Sequence, residues 1–322
     1  MEDPSLELLT PAPDERLYAW LSEFYGYPVE ITQREVLRHR DLSYVERIHL
    51  ANALPETLIY KLVLPPWDIE QDLHERVLIP SISNSARLFL SAHLGEMTAL
   101  FIEDLGTDSL LNRHIDNDVA QMIGRELAKL HRAYSYRIDE LMQVNVLRSL
   151  LPLDYEQFTV DMIELMQQWN LVSNGDVDDL RRLAGTLASN LAGEPVSLVH
   201  GDMFAENILL RNNQLFIIDW SYFTVIGIPA MDLATLTSKH HKNGSFFEWR
   251  DVVLDAYCFE SGRETADVQK AIPFAETLGR LMFLHWLVER RRRGITGTTV
   301  GHVDTVIPKV VQELQGRLAG WS

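Results

Sequence analysis

The sequence predicts an α+β protein of two lobes, a small strand-rich first third followed by a larger helical remainder. Three observations carry that prediction. Short apolar runs broken by Pro, Asn and Ser fill residues 34–102, the texture of strands. After Gly106 the apolar residues recur at helical spacing. A second strand-like interlude, residues 196–219, interrupts those helices.

The elements follow in order. Residues 14–25 place Leu17, Trp20, Leu21 and Phe24 on one helical face. Strands are expected at 44–50, 57–64, 87–90 and 99–102, rich in Leu, Ile, Val, Tyr and Phe, with one helix around 69–79. Residues 1–105 then form the first lobe and 106–322 the second. In the second lobe Val119, Met122, Ile123, Leu127 and Leu130 mark a helix over 116–134, and 155–170 and 176–191 read alike. Residues 207–210 and 215–218, joined by the polar stretch 211–214, read as a hairpin. Helices resume from Met231.

Bulk composition narrows the partners. The chain has 322 residues, 46% hydrophobic and 23% charged, ordinary globular usage. Its 46 acidic residues against 29 basic ones give a net charge of -17. Nucleic-acid and anionic-membrane surfaces require basic stripes, so neither is an expected partner. An acidic field draws in cationic ligands. One cysteine, Cys258, excludes an intramolecular disulfide and fits a reducing cytoplasm. It sits among Ala256, Tyr257 and Phe259 and reads as a packed residue. Residues 1–13 are acidic and proline-containing, without the pattern of a signal peptide. No apolar run approaches the ~20 residues that span a bilayer. A soluble, cytoplasmic protein is expected.

One stretch carries chemistry: His200-Gly-Asp-Met-Phe-Ala-Glu-Asn207, between a short apolar strand and the hairpin. Asp219 follows twelve residues after Asn207, in Ile217-Ile-Asp-Trp220. Phosphoryl transfer asks for a carboxylate that takes the proton of an attacking hydroxyl, and for oxygen ligands that hold Mg²⁺ against phosphates. Mg²⁺ keeps several waters and phosphate oxygens, so one Asn and one Asp suffice.

These residues resemble the aminoglycoside phosphotransferase and choline kinase superfamily, over about residues 34–286. The resemblance implies a bilobal, protein-kinase-like fold and an enzyme that moves the γ-phosphoryl of ATP or GTP, with Mg²⁺, to a hydroxyl of a small molecule. It implies Asp202 as catalytic base, Asn207 and Asp219 as metal ligands, and His200 and Asp232 as supports of the catalytic loop. Leu58-Ile-Tyr-Lys61 looks like the strand carrying the phosphate-binding lysine, and Glu75 like the helix glutamate paired with it, with Glu70 and Asp72 as neighbours that compete for that role. Glu103 and Leu105, in 99–106, look like the hinge that meets a purine. Leu127-Ala-Lys-Leu-His131 resembles the family's Leu-His helix, and 227–234 the segment after the metal aspartate.

The pattern departs in one place. No glycine occurs between Gly26 and Gly95, whereas kinases cover phosphates with a glycine-bearing loop. The corresponding segment is 38–44, where Ser43 and nearby amides could serve. A degenerate pseudokinase that binds without turnover is therefore the alternative. A protein kinase is disfavoured, since Asp-Phe-Gly and Ala-Pro-Glu are absent and the one His-Arg-Asp, at 39–41, lies in the strand-rich first lobe. The acceptor is expected to be small and cationic, an aminoglycoside-like antibiotic or an amino alcohol. Trp220, Glu248, Asp251 and Asp255 are the candidate acceptor contacts. An aromatic core and an exposed acidic helix face explain those four residues equally well.

Overall fold

Asp14 and Glu15 open helix α1 (Asp14–Tyr25), where acidic charge suits the positive end of the helix dipole. Gly26 ends it in the left-handed region at φ 76. The chain continues through β1 (Ile31–His39), β2 (Ser43–Leu50) and β3 (Thr57–Val63). A tight helical stretch follows: a 3-10 turn (Trp67–Ile69), α2 (Glu70–Asp72), a π turn (Leu73–Val77) and α3 (Pro80–Ser83). Strands β4 (Leu88–Leu94) and β5 (Met97–Glu103) close this part. Then come α4 (Asn117–Ser135), α5 (Ile138–Leu141), β6 (Arg148–Ser149), α6 (Tyr155–Gln168), α7 (Asn174–Leu191) and β7 (Ser197–Val199). A hairpin, β8 (Ile208–Arg211) and β9 (Gln214–Ile217), leads to β10 (Val225–Gly227). Helices α8 (Ala230–Thr237), α9 (Arg250–Ser261), α10 (Thr265–Arg292) and α11 (Val303–Ala319) complete the chain.

This computed structural model describes residues 9–40, 42–239, 246–298 and 301–321. Asp41, within the 38–44 segment, and most of the 1–13 segment weighed as a signal peptide lie outside the described residues. Among the described residues, no helix is long and apolar enough to cross a membrane.

Contacts divide the chain into two units. The first joins Met1–Asp108 to Leu209–Tyr222. Its sheet is antiparallel in the order β1-β2-β3-β5-β4. Alternation along β2 turns Tyr44, Glu46, Ile48 and Leu50 inward, the period-two signature of a half-covered strand. Tyr44, Ile48 and Leu50 join Leu17 and Leu21 of α1, Leu58, Tyr60 and Phe101 in one core. Strand β1 escaped the periodicity because it is an edge strand without alternation and pairs with β2 through two register shifts.

The expected boundary near Gly106 needs a correction for residues 209–222. They belong with the first unit because Leu209 packs on Ala86 and Leu105. Ile217 N–H also donates to Asn84 O at 2.8 Å.

The second unit, Ser109–Ile208 and Phe223–Ser322, is helical around a small sheet in the order β6-β10-β7. Helix α4 starts at Asp116, whose carboxylate accepts from Val119 N–H, and buries Ile123, Leu127 and Leu130. It packs closely on α9. A Cβ on Gly124 would sit 2.3 Å from Val253 O, so glycine lets the two helices approach.

Candidate active site

Two groups of polar side chains stand out, one in each unit. In the first unit, Lys61 projects from β3 and is buried. Its ammonium meets Asp219 Oδ1 at 2.5 Å and also pairs with Glu70. Arg38 of β1 contacts Asp219 Oδ2 at 3.3 Å. Asp219 takes φ 62, a left-handed conformation unusual for aspartate. Burial alone would push the Lys61 ammonium down, but Asp219 and Glu70 outweigh it and hold Lys61 above its ordinary value.

The lysine's helix partner is Glu70, which corrects the expectation of Glu75. The helical stretch changes from α to π geometry at Leu73, so regular spacing does not tell which acid turns inward. Glu70 is 2% exposed. Glu75 is exposed and accepts from Gln71 and Ser91 at 3.0 and 2.9 Å.

Glu103 ends β5. Its N–H is committed to Arg87 O at 2.8 Å, and Leu105 is buried against Ala86 and Leu209. Asp104, between them, was not anticipated. It accepts from Arg47 at 2.6 Å and from Gly106 N–H at 2.9 Å. Burial would raise its carboxyl, yet these donors hold it below the usual range. Ser43 opens β2, and its carbonyl accepts from Arg40 N–H at 2.9 Å.

In the second unit, the loop after β7 carries His200, Asp202 and Asn207. Gly201 takes φ 75, and a Cβ there would lie 2.2 Å from Phe223 O. Only glycine fits that turn. Asp232, in the first turn of α8, accepts from His200 N–H at 2.9 Å and Gly201 N–H at 2.7 Å. His131 Nε2 lies 3.1 Å from the same carboxylate, and His131 Nδ1 lies 3.2 Å from Tyr257 OH. Burial would raise the Asp232 carboxyl, but the His131 bond and the charges of His131 and His200 hold it below the usual range. His200 is buried, and its Nδ1 accepts from Asp202 N–H at 3.2 Å. Asn207 donates its amide nitrogen to Asp202 O at 2.8 Å and to Asp202 Oδ2 at 3.2 Å. The loop thus holds the Asp202 carboxylate through its own backbone and its neighbouring amide.

Asp202 lines a cavity of about 940 Å³ in this unit. Four residues expected at the acceptor lie elsewhere. Trp220 is 1% exposed and donates its indole N–H to Ile217 O at 3.1 Å, so it is a core residue of the first unit. Glu248, Asp251 and Asp255 are exposed, opposite the α9 face that buries Val253, Leu254, Tyr257 and Cys258. They do not line the cavity. Its charged lining is Asp202 together with Glu276 and Arg280 of α10 and Glu313 and Arg317 of α11. Those four helix residues were missed because an exposed charge on a long helix has the same spacing whether it faces water or a hollow.

The donor set suits Mg²⁺. Asn207 spends its amide nitrogen on Asp202 and keeps a carbonyl oxygen as the ligand atom. Asp219 offers a carboxylate, which in this structure is held by Lys61 and Arg38. Among the described residues no cluster of three or more His, Cys, Asp or Glu side chains could hold a metal unaided.

Comparison with known proteins places the chain in a family. Residues 80–268, more than half of the chain, match the sequence profile of the phosphotransferase enzyme family. Over 64 residues the chain is 34% identical to Protein LicA of Haemophilus influenzae, which is 20% of this chain and 22% of that protein. The match therefore spans about a fifth of the curated relative. An ethanolamine kinase of Plasmodium vivax superposes with a TM-score of 0.67 at 11% identity, covering 98% of this chain and 95% of that one. A gentamicin complex of an aminoglycoside phosphotransferase gives 0.63 at 16%, over 95% and 97%. Spectinomycin phosphotransferase with ADP and spectinomycin gives 0.59 at 13%, over 96% and 98%. At these identities the likeness establishes a shared fold.

Proposed function

The chain belongs to the phosphotransferase enzyme family, and from that premise we propose that it is a kinase moving the γ-phosphoryl of ATP or GTP to a hydroxyl of a small molecule. The observation that carries the reading is Asp202, held at the wall of a cavity by a loop that Asp232 fastens.

The chemistry follows from the side chains. The acceptor hydroxyl gives its proton to the Asp202 carboxylate as its oxygen attacks the γ-phosphorus. The bond from that phosphorus to the bridging oxygen breaks, and the nucleoside diphosphate leaves. Lys61, held cationic by Glu70 and Asp219, offers positive charge to the nucleotide phosphates. Asn207 and Asp219 would hold Mg²⁺, which supplies charge neutralisation on the phosphate oxygens. Glu103 offers a carbonyl and Leu105 an N–H toward a purine edge. Ser43 lies on the segment proposed to cover the phosphates.

The cationic acceptor suggested by the net charge would meet one uncompensated carboxylate in the cavity, that of Asp202. Apart from Asp202, its two acids are matched by two arginines.

The test is diphosphate release from purified protein with ATP or GTP, Mg²⁺ and an acceptor panel. Asp202→Asn is expected to lower kcat by about a thousandfold or more while leaving nucleotide affinity within about twofold. Unchanged turnover removes Asp202 from the role of base. A silent nucleotide binder is the second reading, favoured by the missing glycines between Gly26 and Gly95. It would bind nucleotide in the same assay and release no diphosphate.

A further inference from the structure

The kinase reading leaves the acceptor open, and the inference here rests on that reading and names the acceptor's class. Helices α10 and α11 form one wall of the cavity that Asp202 lines. Two ion pairs cross between them. Arg317 Nη2 meets Glu276 Oε1 at 3.5 Å, and Ser238 Oγ donates to the same oxygen at 2.9 Å. Four residues along each helix, Arg280 Nε donates to Glu313 Oε2 at 2.7 Å. The partners run in opposite sequence order, so the pairs form two rungs one helical turn apart.

Each rung is electrically balanced. A polycationic acceptor gains no net attraction from two balanced rungs, whose arginines repel it as their glutamates attract it. A quaternary ammonium asks for bare aromatic faces. Two of the four aromatic rings that line the cavity, Phe283 and Trp286, already meet the chain's own cations. Arg280 lies 4.8 Å from the Phe283 centroid, and Arg290 lies 4.6 Å from that of Trp286. Phe283 and Trp286 stack at 5.6 Å.

The same wall suits another chemistry. A guanidinium beside a carboxylate presents donors and acceptors together, and a hydroxyl both donates and accepts. Neighbouring hydroxyls on a ring therefore match a rung, while the ring's apolar face suits an aromatic side chain. Gly279 and Gly316 lie on this wall beside the rungs. A Cβ at either would meet nothing within 4 Å. Glycine weakens a helix interior, and no close packing demands it here. What its absence of a side chain preserves is room.

We propose that the cavity takes an uncharged, polyhydroxylated ring compound, of the glycoside or cyclitol class, as phosphoryl acceptor. The Glu276–Arg317 and Arg280–Glu313 pairs read its hydroxyls, and Gly279 and Gly316 set its size.

The test uses the full chain with ATP, GTP and Mg²⁺. The neutral probes are methyl glucoside, maltose and myo-inositol; the cationic ones are kanamycin, gentamicin, choline and ethanolamine. Saturation-transfer NMR reads binding, and diphosphate release reads turnover. At least one neutral polyol is expected to bind and be phosphorylated, with KM changing less than about twofold between about 50 and 500 mM salt. Gly279→Leu should raise that KM about tenfold or more with the melting temperature held, and Gly279→Ala should do so less. Turnover confined to the cationic probes overturns the acceptor class and leaves the kinase reading standing. Absence of any neutral polyol binding, or binding indifferent to Gly279→Leu, overturns it as well. Failure of the wild type to bind either nucleotide removes the kinase reading, and this inference with it.

Discussion

Asp232 accepts the backbone N–H of Gly201 at 2.7 Å across a separation of 31 residues, and so fastens the catalytic loop to the first turn of α8. A fully buried carboxylate with two backbone donors and a histidine is costly to break, because each partner would be left buried and unmatched. Asp232→Ala is expected to lower unfolding stability by about 3–5 kcal/mol and to abolish turnover. Asp232→Asn keeps the shape but turns an amide toward N–H donors, so part of the loss should persist. Urea denaturation of the three proteins measures this, and equal midpoints would disprove the latch. The depressed carboxyl also sets a direction with pH. Its folded value lies below the unfolded one, so its contribution is complete above the ordinary aspartate value near ~3.9 and is lost as pH falls through the folded value.

The Lys61 partner can be settled by two substitutions. Glu70 is buried against the ammonium, whereas Glu75 meets Gln71 and Ser91 at the surface. Glu70→Gln should weaken nucleotide binding about tenfold or more, because Lys61 loses an opposing charge that keeps it extended. Glu75→Ala should change it less than about twofold. A fluorescent-nucleotide titration reads both. The reverse ranking would restore the glutamate that the family resemblance implies.

The difference between those two glutamates shows where sequence is legible. His200, Asp202 and Asn207 could be named because a loop clamped around a glycine leaves little freedom in residue type or spacing. Asp219 could be named because it directly follows two short apolar runs joined by the polar stretch 211–214. Glu70 could not, since a mixed α and π stretch has no single period to read. Strand β1 lacks alternation because it lies at a sheet edge. The cavity-lining charges of α10 and α11 were invisible for another reason. Which face of a helix meets a hollow is decided by packing between elements far apart in sequence. Trp220 shows the converse, an aromatic beside Asp219 that is consumed by the core.

Gly201 offers a steric test of the loop itself. It holds φ 75, and an added Cβ would lie 2.2 Å from Phe223 O and 3.1 Å from Phe223 Cβ. Gly201→Ala must therefore shift the backbone of the catalytic loop or of the strand entry at Phe223. A loss of about 2 kcal/mol or more is expected, with kcat falling further than stability alone explains. Denaturation and steady-state kinetics on one preparation separate the two effects. An alanine variant with wild-type kcat would mean that the loop tolerates displacement.

His285 supplies a pH dependence away from the active loop. Its ring stacks on Phe158 at 4.6 Å, and Nδ1 lies 3.4 Å from Arg148 Nη1. Burial and then the Arg148 charge lower it to about 4, against weaker opposing pulls from Glu289 and Asp161 and a further lowering by Arg292. The folded ring thus stays neutral where the unfolded one takes up a proton. The unfolded state binds more protons between the ordinary histidine value of ~6.5 and about 4, so stability must rise with pH across that window. The contribution is complete above ~6.5 and falls by roughly 2–3 kcal/mol on acidification to about 4, allowing for the solvent that reaches a half-buried ring. His285→Phe keeps the stacking surface and removes the titration. Its unfolding free energy, followed by urea denaturation from about pH 7 to 4, should run flatter than the wild type's by that amount. Parallel curves for the two proteins would show that His285 takes up its proton without leaving the folded state.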